Sequence, residues 1–260
     1  MNLFDTHAHY DDARFEEDRD ALLRSMPAHG IGLILNPGCD LETSRKAVSY
    51  AQTYDHVYAA VGYHPENLEG LSDAAVAEGL REIETLAAHP KVKAIGEIGL
   101  DYYWCKDSAE RKRQQEVFRA QMRMAGQLGL PVIIHDREAH LDCLTIIEQY
   151  PGVPAVFHCY SGSAEFAKQL LACGCMISFT GVVTFPNAKK ALEALRLIPL
   201  ERLMIETDSP YMAPVPYRGK RNSSLYVHRV AEIIAEVKGL TVEEIARITT
   251  ENGKRFFQIP

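Results

Sequence analysis

Eight short apolar runs, rich in β-branched residues, recur along this chain with longer amphipathic stretches between them. They are 2-NLFDTHAH-9, 31-IGLILNPG-38, 57-VYAAVGYHP-65, 92-VKAIGEIGLD-101, 131-PVIIHDR-137, 154-PAVFHCYSG-162, 175-CMISFTG-181 and 203-LMIETDSP-210. Intervals of about 20 to 40 residues with helical periodicity in the gaps are the rhythm of repeated β-α units. Eight units predict a (β/α)8 TIM barrel. A doubly wound open sheet shares the alternation but normally carries a Gly-rich phosphate loop after an early strand, and none is present.

The gaps support the same reading. Helices are expected over 14–30, 41–54 and 107–129; the last opens on Asp107 with Glu110 in capping-box spacing and closes at Gly129 before Pro131. No linker or low-complexity block interrupts the pattern, so residues 1–260 are expected to form a single domain, with an extra C-terminal helix around 241–257.

At 260 residues and 47% hydrophobic content the chain can bury a large core. A formal net charge of -7 argues against general polyanion binding, because nonspecific nucleic-acid affinity comes from Lys and Arg; any such contact must be local. Six cysteines lacking a C-x-x-C pair do not suggest a disulfide framework, and Cys173 and Cys175 read as two buried thiols at a strand start. With no basic leader before an apolar run and no stretch approaching a membrane span, a reduced cytoplasm is the expected home.

Barrel enzymes place their chemistry where strands end. Strand one is expected to end with His7 and His9, strand three with His64, strand four with Glu97, strand five with His135, strand six with His158 and strand eight with Asp208. In His-Ala-His both imidazoles face one side of a strand, which is how two ligands reach one metal. Singly, each residue has a plainer reading, a core histidine or a helix N-cap. Together they form a rim of nitrogen and oxygen donors suited to Zn²⁺ or Mn²⁺ and less comfortably Mg²⁺.

Six ligands (His7, His9, Glu97, His135, His158 and Asp208) are too many for one four-coordinate ion with an open position. Two divalent ions sharing Glu97 are the economical solution, one with His7, His9 and Asp208, the other with His135 and His158. Two dications, two carboxylates and one hydroxide leave a site of roughly +1, which favours an anionic substrate. The stretch 217-YRGKRN-222 places Arg218, Lys220 and Arg221 beside this rim, with Asn222 as a hydrogen-bonding neighbour. Arg suits bidentate phosphate contact, and Arg137 is a further candidate, although a solvated basic loop has the same composition.

These residues resemble the TatD-like metal-dependent deoxyribonucleases of the amidohydrolase superfamily. The resemblance runs through 4-FDTHAH-9, 61-VGYHP-65, 95-IGEIGLDYY-103, 134-IHDREA-139, 157-FHCYSG-162, 180-TG-181, 205-IETDSPY-211 and 218-RGKRN-222, essentially the whole length. It implies a barrel hydrolysing DNA phosphodiesters as a metal-dependent 3′-to-5′ exonuclease. It implies the same six metal ligands, with His64, Arg221 and Asn222 addressing substrate phosphate. Ser223-Ser224 stands where many relatives have Glu-Pro, and Asp136 where a small uncharged residue is common, which puts substrate contacts in question; Asp136 could instead point outward.

The mechanism expected is attack by a metal-activated water, oriented and deprotonated by Asp208, with Glu97, His64 and Arg221 managing charge. The substrate is expected to be DNA, single-stranded or frayed at its 3′ ends, and Tyr102, Tyr103 and Trp104 are candidates to stack on bases. The alternatives are a metal-dependent deacylase or esterase in the same barrel, an abasic-site repair enzyme, or a noncatalytic metal-binding protein. Neither the metal nor the oligomeric state is set by the sequence; a monomer is slightly favoured.

Overall fold

A computed structural model describes residues 2–260. Its strands are β1 (Leu3–Asp5), β2 (Ile31–Pro37), β3 (Val57–Val61), β4 (Val92–Asp101), β5 (Val132–Arg137), β6 (Ala155–Phe157), β7 (Met176–Phe179) and β8 (Leu203–Ile205). The helices are α1 (Arg19–Ser25), α2 (Leu41–Thr53), α3 (Asp73–Ala87), α4 (Ser108–Leu128), α5 (His140–Glu148), α6 (Ala164–Ala172), α7 (Lys189–Leu197), α8 (Val227–Lys238) and α9 (Val242–Phe256). All eight expected runs are strands, and they lie in one sheet in the order β1 to β8. Parallel pairing with an intervening helix at each step is the (β/α)8 barrel topology, with α9 as the extra C-terminal helix.

The residues gather into two compact units, one of Met1–Asn36, Tyr54–Val57 and His158–Pro260, the other of Pro37–Thr53 and Tyr58–Phe157. In the first, β8 returns to the start of the chain: Thr6 N–H donates to the Ile205 carbonyl, and Ala8 bridges Ser209 in parallel. Its core includes Leu3, Phe4, Ile34, Phe179, Ile205 and Phe257, all buried. Helix α9 begins with a reciprocal capping box, in which Thr241 accepts from the Glu244 N–H and Glu244 accepts from the Thr241 N–H. Its buried face brings the Phe257 ring edge-on to Phe4, 6.0 Å between centroids.

In the second unit the ten residues of β4 are almost all buried, and Ile95, Ile98, Ile133, Ile134, Phe157 and Phe118 fill its interior. The side chain of Asp107 caps α4 by accepting from the Ala109 and Glu110 N–H groups, and Gly129, at φ +66°, ends it. Gly99 is required by geometry. Its φ is +140°, and a Cβ there would lie 2.0 Å from the backbone oxygen of His135, its register partner on β5.

Three expectations change. β1 stops at Asp5, β3 at Val61 and β8 at Ile205, so His7, His9, His64 and Asp208 lie on the segments beyond them, and Glu97 sits in the middle of β4 instead of at its end. The expected helix over 14–30 is broken into a 3-10 turn, α1 and a second 3-10 turn; Pro27 stands at the start of the second turn, where α1 gives way, and the left-handed Gly30 caps its end. Cys175 is buried but Cys173, at the C-terminal cap of α6, is exposed.

Candidate metal centre

In the first unit three donor atoms converge. His7 Nε2 and His9 Nε2 are 3.0 Å apart, and Asp208 Oδ1 lies 3.4 Å from His9 Nε2 and 3.8 Å from His7 Nε2. Atoms held about 2.1 Å from one ion sit roughly 3.0 to 3.4 Å apart; the His7–His9 and His9–Asp208 spacings fall in that range, and the 3.8 Å between His7 and Asp208 corresponds to a wider angle at a shared cation. The local chain explains the aim. Alternation sends both imidazoles of His-Ala-His one way, and Asp208 adopts φ +56° as its N–H donates to the His7 carbonyl. Burial works against the Asp208 charge, but hydrogen bonding from His9 and the nearby His7, His9 and His158 outweigh it and hold the carboxyl below its usual range.

His158 follows β6 directly and stacks flat on His7, with centroids 4.1 Å apart and planes 9° off parallel. Its Nδ1 faces Glu206 Oε1 at 3.4 Å, and that oxygen also accepts the Cys159 N–H at 2.6 Å. A carboxylate behind an imidazole orients the ring and raises the basicity of its other nitrogen.

In the second unit His135 Nδ1 lies 3.0 Å from Glu97 Oε1, and its Nε2 lies 3.0 Å from Asp101 Oδ2. A neutral imidazole has one N–H, so two facing carboxylates demand a second positive centre, a ring proton or a cation on the Glu97 side. Burial pulls the Asp101 carboxyl upward, but the His135 ring and the Trp104 N–H outweigh it and hold it at about 2. His64 Nε2 sits 3.4 Å from the same Glu97 oxygen. Since His64 Nδ1 accepts the Glu66 N–H, the ring proton belongs on Nε2, which makes His64 a donor toward Glu97 or an incoming anion. The groups His7-His9-Asp208 and His64-Glu97-His135 each bring three donor atoms within 4.8 Å of one another.

The basic loop is not uniformly available. Arg221 makes a bidentate pair with Asp18, donates to the Arg14 carbonyl, and lies 4.7 Å over Phe15. Arg218 stacks 4.2 Å over Phe185, and Lys220 is exposed. Asn222 is fully buried; its amide donates to the carbonyls of Thr207 and Tyr211, so it clips the segment after β8 in place. Arg137 is exposed and lies 4.0 Å over the Tyr103 ring.

The two departures have structural roles. Ser224 donates to Asp5 and accepts from the Tyr10 hydroxyl, while Ser223 caps the 3-10 turn at Ser224–Tyr226. Asp5 also accepts the N–H and hydroxyl of Thr207, and burial lifts its carboxyl to about 7 despite these donors. Asp136 points away from the donor cluster: it pairs with His140 at 2.7 Å and accepts the Ala139 N–H. Sequence reasoning missed Asp101 and Glu206, each a carboxylate behind a histidine. Their signal was present, an acid at the end of β4 and another two residues before Asp208. It also missed Arg14, which pairs with Asp12 and covers the Tyr211 ring at 4.2 Å.

Comparison with known proteins identifies the family. The family model described as TatD related DNase matches residues 4–258. The chain is 44% identical over 259 residues to the uncharacterized metal-dependent hydrolase YabD of Bacillus subtilis, covering 99% of both. It is 39% identical over 264 residues to the uncharacterized metal-dependent hydrolase YcfH of Escherichia coli K12, covering 100% of this chain and 97% of that one. The crystal structure of YjjV, a TatD homolog from E. coli, superposes with a TM-score of 0.91 at 32% identity, over 99% of this chain and 98% of that one. Organophosphorus hydrolase from Deinococcus radiodurans, at 16% identity and a TM-score of 0.66, shares the fold. The chain therefore belongs to the TatD-related DNase family.

Proposed function

We propose that this protein is a metal-dependent hydrolase that cleaves DNA phosphodiester bonds, working from 3′ ends of single or frayed strands. One observation carries the reading: in a chain of this family, His7, His9 and Asp208 direct three electron-rich atoms at one point, 3.0 to 3.8 Å apart. Imidazole nitrogens and a carboxylate gathered so closely suit a divalent cation, and four histidines with two carboxylates fit Zn²⁺ or Mn²⁺ readily and Mg²⁺ less so. Two ions are proposed; His7, His9, Glu97, His135, His158 and Asp208 are the residues that would hold them, His7, His9 and Asp208 together at one of the two. When bound, such ions polarise a phosphoryl oxygen and acidify the attacking water.

The protein's own groups then divide the work. Asp208, held ionised, orients the attacking water and accepts its proton. His64, with its proton on Nε2, donates toward negative charge developing on the phosphoryl oxygens. Glu206 and Asp101 hold the rings of His158 and His135 in register. Arg218 and Lys220 meet the phosphate backbone, and Arg221 joins them by exchanging its Asp18 partner for a phosphate of equal fork geometry. No helix among the described residues is long and apolar enough to cross a membrane; a cytoplasmic enzyme, monomeric and one domain over 1–260, is the accompanying proposal.

Metal-stripped protein resupplied with Mg²⁺, Mn²⁺ or Zn²⁺ is tested on end-labelled single-stranded DNA beside Asp208→Asn. Stepwise, metal-dependent loss from the 3′ end that drops at least 10²-fold in the variant is the expected result. Full activity in a folded, metal-loaded Asp208→Asn protein refutes the role of Asp208. No DNA cleavage with any metal, alongside release of an acyl ester, replaces the nuclease reading by a deacylase or esterase.

A further inference from the structure

We propose that Tyr103, Trp104 and Arg137 form a stacking subsite for an unpaired base of a single-stranded nucleic acid. The inference deepens the DNase reading and takes the identity of the strand from it. Three aromatic residues follow β4 in succession, and the structure separates them. Tyr102 is buried, with its hydroxyl donating to Asp142 at 2.7 Å and the Arg111 guanidinium 4.4 Å over its ring. Tyr103 is 40% exposed and Trp104 64% exposed. Packing accounts for Tyr102 and leaves the Tyr103 and Trp104 rings side by side facing solvent.

The two presented rings meet edge to face, with centroids 4.7 Å apart and planes at 84°. Arg137 lies 4.0 Å from the Tyr103 centroid and 5.5 Å from that of Trp104, and Lys106 lies 5.5 Å from Tyr103. An exposed indole flanked by a planar guanidinium and an ammonium offers a π face to a base and cations to its phosphate, the combination by which single strands are bound without sequence preference. Glu138, 3.6 Å from Lys106, is the acid paired within the patch, and Arg137 stays exposed.

The platform is anchored at the catalytic cluster. Trp104 N–H donates to Asp101 Oδ1 at 2.9 Å, and the other oxygen of that carboxylate faces His135 Nε2. Lys106 Nζ donates to the Tyr102 carbonyl, and Arg111 donates to the carbonyls of Cys105 and Tyr102. A loop tied at this many points presents its rings with little further loss of conformational freedom on binding.

Trp104 is the only tryptophan in the chain, so its emission reports on this surface alone. Full-length protein in EDTA, where no hydrolysis occurs, is titrated with a twelve-residue oligothymidylate and with a blunt duplex, following both Trp104 emission and the anisotropy of a labelled strand. The expected result is quenching by the single strand, weak response to the duplex, and a Kd about tenfold weaker in Trp104→Ala and in Tyr103→Ala, with Trp104→Phe close to wild type. Unchanged emission, or wild-type affinity in both alanine variants, overturns the subsite even where DNA is degraded. Quenching with the expected variant pattern but no DNA cleavage under any metal upholds the subsite and assigns the failure to the nuclease reading.

Discussion

Replacing Asp101 by asparagine removes one charge and leaves the shape of the side chain nearly unchanged, which isolates what that charge does. Asp101 is fully buried, its Oδ2 is 3.0 Å from His135 Nε2, and its Oδ1 accepts the Trp104 N–H at 2.9 Å. The carboxylate can serve both donors at once. An asparagine has a single acceptor oxygen, so either the Trp104 N–H or the His135 ring must face an NH₂ group. If His135 loses its acceptor, the proton can move to Nδ1, the nitrogen that looks toward Glu97 and would bind metal. Substitutions behind a ligating histidine typically weaken metal binding by about 10- to 100-fold, which at about 1.4 kcal/mol per decade is roughly 1.4 to 2.8 kcal/mol. Competition against a chromogenic chelator reads the affinity directly, and circular dichroism confirms the fold. The weakening should fall on one of two binding steps, because His7, His9 and Asp208 do not depend on Asp101 in this geometry. A folded variant that binds both ions within about twofold of wild type would refute the argument that Asp101 governs the proton on His135.

Three other perturbations test separate parts of the structure. Returning metal to the stripped protein at about 100 times Kd should stabilise it by roughly 2.7 kcal/mol for each ion bound, one ion raising Tm by about 5 to 10 °C; an unmoved Tm would sink the donor clusters as a metal centre. His140 titrates above its usual 6.5 because Asp136 hydrogen-bonds it; a raised folded value means that the pair's contribution is full below about 6.5 and is lost as pH climbs through the folded value. With the His140 side chain 47% exposed the effect on stability is small, so NMR titration is the measurement, and Asp136→Asn should bring the ring back toward 6.5. Gly99→Ala forces a Cβ to within 2.0 Å of the His135 carbonyl at a φ of +140°, and a loss of roughly 3 kcal/mol in urea unfolding is expected; an unchanged midpoint would show that β4 and β5 separate freely there.

What the sequence determined by itself was periodic or local. Short apolar, β-branched-rich runs located all eight strands, because strands covered on both faces are apolar along their whole length. His-Ala-His declared a common direction for two imidazoles through backbone geometry alone, and the Thr241 to Glu244 spacing declared the start of α9. The departure at Asp136 was also partly legible, since a side chain one residue from His135 on a strand faces the opposite way.

Only the tertiary structure decided how charges are paired, because partners distant in sequence carry no local signal. Arg221 meets Asp18 across 203 positions and Ser224 meets Asp5 across 219, so a loop read as phosphate-binding proves partly committed to internal contacts. Asn222, polar and next to three cations, is buried as a backbone clip. Asp101 and Glu206 gain meaning only when folding sets them behind His135 and His158. The same holds for the three aromatics after β4: their composition is identical in kind, and packing alone turned one inward and left two exposed. Local chain geometry fixes which way a residue points, whereas the groups that share its charge and hydrogen bonds are chosen by the closure of the fold.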